Sequence, residues 1–139
     1  MNTLLICLFV AMLLPYLAKG PVAWAMAKAG GYDNNHPRAQ QAQLTGFGAR
    51  ALAGHQNAFE SLLVFGLAVL VVIATGKVNP TTEWLAITHV AARFVYHILY
   101  LANKGTLRSL SWFVAIFSAF GIFFQAFLML DIKGSGRVF

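Results

Sequence analysis

The sequence predicts an all-α membrane protein: a bundle of four transmembrane helices that forms a single transmembrane domain over residues 1–139. Hydrophobic residues make up 59% of the chain and charged residues only 10%, against roughly 25% charged residues in soluble domains. The apolar residues also fall into four long stretches, each close to the ~20 residues that a helix needs to cross a bilayer. These spans leave no room for a separate soluble domain.

The predicted helices cover about residues 4–27, 46–74, 82–102 and 107–130. The first is the least regular. Pro15 is expected to kink it, and the Lys19, Gly20 and Pro21 sequence is expected to end its buried part early.

A cleaved signal peptide is the alternative interpretation of the first stretch, because Ala25 and Ala27 form an A-x-A-like site. The order of charges favours an uncleaved span. No Lys or Arg precedes the apolar run, whereas Lys19 and Lys28 follow its core, which is the reverse of a signal sequence.

Three polar connections separate the spans. Residues 28–45 form the longest loop, and residues 75–80 and 103–106 form short turns. Thr81 or Thr82 is expected to cap the third apolar helix, with Glu83 in its first turn.

Basic residues predict the orientation in the membrane. The first and third loops share one side, which collects Lys28, Arg38, Lys104 and Arg108. The other side holds Lys77, Lys133 and Arg137. The positive-inside rule therefore places loops one and three in the cytoplasm and both termini outside, and a bacterial inner membrane is the expected location.

The same distribution argues against nucleic acid as a partner, although the net charge is +6. The basic residues are spread among loops and helix ends and form no basic-aromatic stripe. The single cysteine, Cys7, can form neither an internal disulfide nor a metal site, and is expected to pack in the core.

Polar and ionisable side chains occur inside the second and third apolar stretches, where each Arg or Asp at the bilayer centre costs roughly 2.5–3.5 kcal/mol. The second stretch contains Arg50, His55, Gln56, Asn57 and Glu60, and the third contains His89, Arg93, Tyr96, His97 and Tyr100. On a helix, Arg50, Asn57 and Glu60 share one stripe, and the five residues of the third stretch share one face. Both faces are expected to meet protein or water.

Structural roles can explain part of this pattern. Glu60 and Arg93 fall near the same depth, so they are candidates for a buried ion pair that holds the bundle in register. His55 points away from the stripe and is a candidate for an interfacial or an intersubunit hydrogen-bonding group. Arg93 lies between His89 and His97 and would repel a cation, so no metal site is predicted. The three tryptophans are expected to anchor span ends: Trp24, Trp84 and Trp112.

Two of these polar segments together resemble a known family. Residues 50–60 (RALAGHQNAFE) resemble the second-helix signature of the MAPEG family, the membrane-associated proteins in eicosanoid and glutathione metabolism. Residues 93–100 (RFVYHILY) are similar to the Arg and Tyr pair of its third helix, and residues 107–109 (LRS) to the start of its fourth. The likeness extends to about Leu130 and is to a bacterial-type member.

The resemblance implies a homotrimer that binds glutathione between subunits, near the cytoplasmic side. It implies that Asn57 and Glu60 contact the glutathione backbone, that Arg108 faces the thiol, and that Arg50 meets a carboxylate. Further cofactor-binding residues implied by the resemblance are Arg93, Tyr96 and Tyr100. Arginine forks suit the two carboxylates of glutathione, and a positive group near the sulfur favours the attacking thiolate.

Three functions remain open from the sequence. The first is a glutathione transferase or peroxidase-like enzyme that acts on lipophilic electrophiles from the surrounding lipid. The second is a non-catalytic lipid-binding or interaction protein, because transferases of the family usually carry an arginine where this chain has Leu52, Ala53 and Gly54. The third is a small transporter or proton relay that uses Glu60 and the histidines, although no broken helix pair is visible.

Overall fold

The computed structural model describes the backbone of residues 1–134 and the side chains of residues 1–128. It contains five helices in this range, which are α1 (Asn2–Lys28), α2 (Pro37–Ala42), α3 (Gly46–Ala74), α4 (Pro80–Leu101) and α5 (Gly105–Gly134). α1, α3, α4 and α5 are long and apolar enough to cross a membrane, which confirms the predicted four-helix membrane fold. Arg137 and the side chain of Lys133, both used in the topology prediction, lie outside the described residues.

α1 continues through both of its prolines to Lys28. The expectation that its buried part ends near Lys19 is wrong, because Val22 and Met26 are fully buried and pack against Ala51 of α3. The apolar residues that follow Pro21 therefore extend the contact between α1 and α3.

The N-terminus of α4 is capped by Asn79 and not by Thr81 or Thr82. The Asn79 side chain accepts a hydrogen bond from the Thr82 backbone N–H at 3.1 Å, and the Thr82 hydroxyl oxygen accepts from the Asn79 N–H at 3.1 Å. This reciprocal pair is a capping box, and Pro80 occupies the first turn, where its missing N–H costs nothing. Glu83 lies in the first turn as predicted.

The first loop is held in place by one glutamine. Gln40, on the short helix α2, donates to the backbone oxygens of Gly31 at 2.6 Å and Met26 at 3.2 Å. Its own amide oxygen accepts from the Asp33 N–H at 2.9 Å. The loop therefore folds back onto the end of α1.

The core of the bundle joins all four long helices. Its main cluster includes Leu4 and Cys7 of α1, Phe65 of α3, Ala86 of α4 and Ile122 of α5. Cys7 packs there, as the sequence predicts. Many other core positions are alanine, which lets membrane helices approach closely.

One face of α3 remains exposed or half-buried along the full length of the helix. Its residues alternate at spacings of three and four, which is the spacing of a coiled-coil seam. We call this face the α3 seam, and its members are Gly46, Ala49, Ala53, Gln56, Glu60, Leu63, Leu67, Leu70 and Ala74.

Candidate functional site

A buried arginine lies at the centre of the polar residues. Arg93 on α4 is only 2% exposed. Its Nη2 donates to the side-chain oxygen of Asn57 at 2.8 Å and to the Asn57 backbone oxygen at 3.3 Å. The guanidinium also lies 4.0 Å from the centroid of the Tyr96 ring, within the range of a cation–π contact. Arg93 thus joins α4 to α3.

Asn57 relays this interaction to Glu60. The Asn57 amide donates to Glu60 Oε2 at 2.8 Å, while its oxygen accepts from Arg93. The predicted ion pair between Glu60 and Arg93 is wrong: among the residues with described side chains, no carboxylate oxygen lies within 4.0 Å of Arg93. Asn57 precedes Glu60 by one helical turn and occupies the space between the two charges.

Two tyrosines extend the cluster toward the end of α4. The Tyr96 and Tyr100 rings meet edge to face, with centroids 5.5 Å apart. The Arg108 guanidinium of α5 lies 4.4 Å from the centroid of the Tyr100 ring. Six residues therefore form a continuous series of contacts across three helices. We call this series the polar chain, and it consists of Arg108, Tyr100, Tyr96, Arg93, Asn57 and Glu60.

The polar chain lines two adjoining cavities between α3, α4 and α5. The outer cavity, of about 270 Å³, is lined by Asn57, Tyr96, Tyr100, Arg108, Ser109, Trp112 and Phe113. The inner cavity, of about 200 Å³, is lined by Asn57, Glu60, Ser61, Val64, Arg93, Trp112, Ala115 and Ile116. Because Asn57 and Trp112 line both, we treat the two as one cleft.

The sequence interpretation missed part of this cleft. Trp112, expected to be a membrane anchor, lines both cavities, whereas Ser61 lines the inner cavity and Ser109 the outer one. A tryptophan near a span end carries no sequence signal that distinguishes an anchor from a cleft wall. The position of Ser109 beside Arg108 was the one available indication.

The charges of the cleft are unbalanced. Two guanidiniums, Arg93 and Arg108, face one carboxylate, Glu60, so the cleft favours an anionic ligand. Glu60 is itself exposed at the surface of the protomer, at roughly 20 Å along α3 from its first residue, given a rise of about 1.5 Å per residue. A carboxylate at this depth requires water, a ligand or another subunit beside it.

Arg50 does not join the cleft, although it shares a helical stripe with Asn57. Its Nη2 lies 3.5 Å from the Leu101 backbone oxygen at the end of α4, and it lines a different cavity together with His97. Arg50 and Asn57 are separated by two helical turns, about 10 Å along the axis of α3. Within one protomer the structure brings Asn57 and Glu60 together and leaves Arg50 apart.

Two of the histidines, His89 and His55, have structural partners. His89 Nδ1 donates to the Ala115 backbone oxygen at 2.8 Å, its Nε2 lies 3.3 Å from Ser61 Oγ, and its ring stacks on Phe65. His55 Nδ1 donates to the Pro15 backbone oxygen at 2.8 Å. His55 therefore joins α3 to α1, and its interfacial or intersubunit hydrogen bond stays a prediction. No group of three metal-ligating side chains occurs in the part of the chain that the structure describes.

Comparison with known proteins gives one match. The model of the MAPEG family matches residues 3–128, nearly the whole chain. No curated protein and no solved structure matches the chain.

Proposed function

Because the chain belongs to the MAPEG family, we propose that it uses glutathione as co-substrate to act on lipophilic electrophiles, as a transferase or a peroxidase-like enzyme. The observation that carries the proposal is the polar chain, which lines one cleft from Arg108 to Glu60. The cleft lies between three of the four helices that are long and apolar enough to cross a membrane, so we expect an apolar second substrate to reach it from the bilayer.

The groups of the cleft match the groups of glutathione. Glutathione carries two carboxylates, one ammonium and two amide bonds. The exposed carboxylate of Glu60 suits the ammonium, and the Asn57 amide suits a peptide group. Arg108 forms no hydrogen bond or ion pair with the other described side chains, so its guanidinium is available to an anionic group of the ligand.

Arg108 is the best candidate for activating the sulfur. A fixed guanidinium beside the thiol stabilises the thiolate, which is the attacking species. In a transfer reaction the thiolate sulfur forms a bond to the electrophilic carbon, and the leaving group departs with its bonding electrons. The indole of Trp112 and the ring of Phe113 provide an apolar wall for the electrophile.

The exposed Glu60 supports a site shared between subunits. Glu60 belongs to the α3 seam, whose three-and-four spacing suits packing against the same helix of other copies. We therefore propose a homotrimer in which a neighbouring subunit covers Glu60 and completes the glutathione site. The small residues at the start of the seam would allow close approach there.

The test combines binding and turnover on detergent-purified protein. Glutathione is expected to show thiolate absorbance when bound, and chlorodinitrobenzene is expected to be conjugated. Arg108→Ala should lower turnover by roughly a hundredfold, as for the loss of one charge-stabilising group, while the surface variant Arg38→Ala should leave it unchanged. The proposal fails if the wild-type protein shows neither thiolate absorbance nor turnover.

A second candidate function is a non-catalytic family member that binds lipid or a partner protein. The absence of arginine at Leu52, Ala53 and Gly54 favours it, as does the position of Arg50 outside the cleft. Calorimetry separates the two functions: an enzyme binds glutathione, and Arg93→Ala abolishes that binding. A folded wild-type protein that binds no glutathione would support the non-catalytic function.

A further inference from the structure

The α3 seam carries two polar side chains in the middle of a membrane span. Gln56 and Glu60 are both exposed on the protomer, one helical turn apart, whereas the other members of the seam are glycine, alanine or leucine. They lie roughly 15 and 20 Å along α3 from its first residue, given a rise of about 1.5 Å per residue. An amide or a carboxylate that faces hydrocarbon at this depth is costly. Both side chains therefore need polar partners outside the protomer.

The two side chains have free hydrogen-bonding groups of opposite kinds. Gln56 forms no side-chain hydrogen bond within the described part of the chain, so its amide N–H groups are available as donors. Glu60 Oε2 accepts from Asn57 at 2.8 Å, whereas Oε1 accepts from none of the described residues. A carboxylate has room for about four hydrogen bonds. Because a free donor and a free acceptor lie on the same face, the seam complements a second copy of itself.

The three-and-four spacing determines which of these groups meet when two copies pack through the seam. Copies with the same sequence cross the membrane in the same direction, so their α3 helices run parallel. In parallel seam packing, each seam side chain inserts between four residues of the facing helix, among them the seam residue at the same level and the one before it. The seam residue before Glu60 is Gln56. The Glu60 side chain of one copy therefore inserts beside Gln56 of the partner subunit.

We propose that, in the homotrimer, Gln56 of the partner subunit donates a hydrogen bond to Glu60 Oε1. Around a closed ring of copies, the pairing supplies one such bond at each contact between subunits. The inference rests on the homotrimer of the proposed function and adds a specific residue to it. Glu60 is then held on one oxygen by Asn57 of its own chain and on the other by the partner's Gln56.

The pairing also reduces the repulsion between the carboxylates. Packing through the seam brings the Glu60 side chains of all copies to the same level, and like charges that face each other across an interface are costly. An amide between neighbouring carboxylates donates a hydrogen bond without adding charge. A leucine at position 56 would fill the same space but would leave Glu60 Oε1 without a donor. A donor is therefore required one turn before Glu60.

Exchanging the donor and the acceptor tests the pairing through the oligomer mass, measured by native mass spectrometry on the full-length protein in detergent. Gln56→Glu keeps the shape of the side chain but replaces the donor with a second carboxylate, so it should convert the trimer to monomer. Adding Glu60→Gln to Gln56→Glu restores a donor and an acceptor in exchanged positions and should recover the trimer. Gln43→Glu, at an exposed amide outside the α3 seam, is the control and should leave the mass unchanged.

Disulfide trapping tests whether the two residues meet between copies. In a Cys7→Ala background, one tagged chain carries Gln56→Cys and a second chain with a different tag carries Glu60→Cys. Mild oxidation of the co-expressed chains should join the two tags. Phe113→Cys with Phe117→Cys, at the same spacing on an exposed face of α5, is the control pair and should give no joined product.

The outcomes separate this pairing from the glutathione chemistry, which calorimetry measures independently. The pairing is overturned if Gln56→Glu stays trimeric, or if the exchanged double variant stays monomeric with the helix content of the wild type by circular dichroism. A monomeric wild type, or trapping on α5 as strong as on α3, would overturn it too. A wild-type trimer that responds to both changes but binds no glutathione would support the pairing and contradict the glutathione-dependent function.

Discussion

At the scale of single residues, Asn57 connects the two halves of the polar chain. Its amide oxygen accepts from buried Arg93, and its amide nitrogen donates to exposed Glu60. The carboxamide provides a separate donor and acceptor, and an aspartate would replace the donor with a charge that repels Glu60. The interaction therefore depends on the amide itself.

Replacing Asn57 by leucine should destabilise the protein. Arg93 would retain only the Asn57 backbone oxygen as an acceptor, and the loss is expected to be about 3 kcal/mol, as for a buried charge that loses its partner. Thermal unfolding in detergent, followed by circular dichroism, measures the change. Asn34→Leu, at an exposed position in the first loop outside the polar chain and the α3 seam, is the control and should alter stability little.

The double variant Asn57→Leu with Arg93→Leu tests the reason for that loss. Removing the charge together with its partner should recover part of the stability, because the cost lies in the unpaired guanidinium. A double variant that is less stable than both single variants would contradict this account.

The sequence predicted which residues face inward better than it predicted their partners. Helical spacing correctly placed Asn57 and Glu60 on one face of α3 opposite Arg93. Helical spacing also placed Arg50 on that stripe, because the angle around the helix axis says nothing about the position along the axis. Arg50 lies two turns before Asn57 and is therefore beside Leu101 and His97. The direct pairing of Glu60 with Arg93 was wrong because the side chain of Asn57 intervenes.

At the scale of helices, the α3 seam is the surface through which copies of the chain are expected to associate. Leu63→Ala with Leu67→Ala should shift the detergent-solubilised protein from trimer to monomer, because it removes two interlocking side chains that are 64% and 55% exposed in the protomer. Native mass spectrometry or light scattering reports the oligomer mass.

The matched control lies on α5. Leu107 and Leu110 are 54% and 57% exposed and line a shallow apolar groove between α4 and α5. Changing both leucines to alanine removes a similar area of exposed apolar surface and should leave the proposed trimer intact. Equal dissociation by both pairs, or by neither, would argue against the seam as the contact surface.

The capping box of α4 gives a second prediction for the helices. Asn79→Ala removes the acceptor for the Thr82 N–H and should lower the free energy of unfolding by about 1 kcal/mol. Thr81→Ala, one position before the reciprocal threonine, tests whether Thr81 contributes to the cap and is expected to have a much smaller effect. Urea or thermal unfolding in detergent compares the two variants.

Helix positions followed from apolar patterning more closely than loop structure did. The observed α3, Gly46–Ala74, coincides with the predicted 46–74. The short helix α2 was not predicted, because six polar or small residues after His36 carry no apolar periodicity. Its place depends on the hydrogen bonds of Gln40 to the loop and to the end of α1, which are tertiary contacts.

At the scale of the whole molecule, the end of the bundle at which the cleft lies decides from which side of the membrane glutathione can reach it. Arg108 and Tyr100 lie near the ends of α5 and α4 that meet the third loop, on the same side as Lys28 and Lys104. Lys28 lies 5.7 Å from the Trp24 ring centroid, an aromatic and basic pairing suited to a membrane interface. If this side is cytoplasmic, the outer cavity opens toward the cytosolic glutathione pool.

Cysteine labelling tests that orientation. Two cysteine variants are made in a Cys7→Ala background: Asn35→Cys in the first loop, and Thr106→Cys in the first turn of α5, next to the third loop. Each should react with an impermeant maleimide only in permeabilised cells. Thr81→Cys, in the exposed first turn of α4, should react in intact cells, because the positive-inside rule places that end of the bundle outside. The reverse pattern would place the mouth of the cleft outside the cell. Glutathione would then have to reach Arg108 from the non-cytoplasmic side, and the proposed access from the cytosol would be wrong.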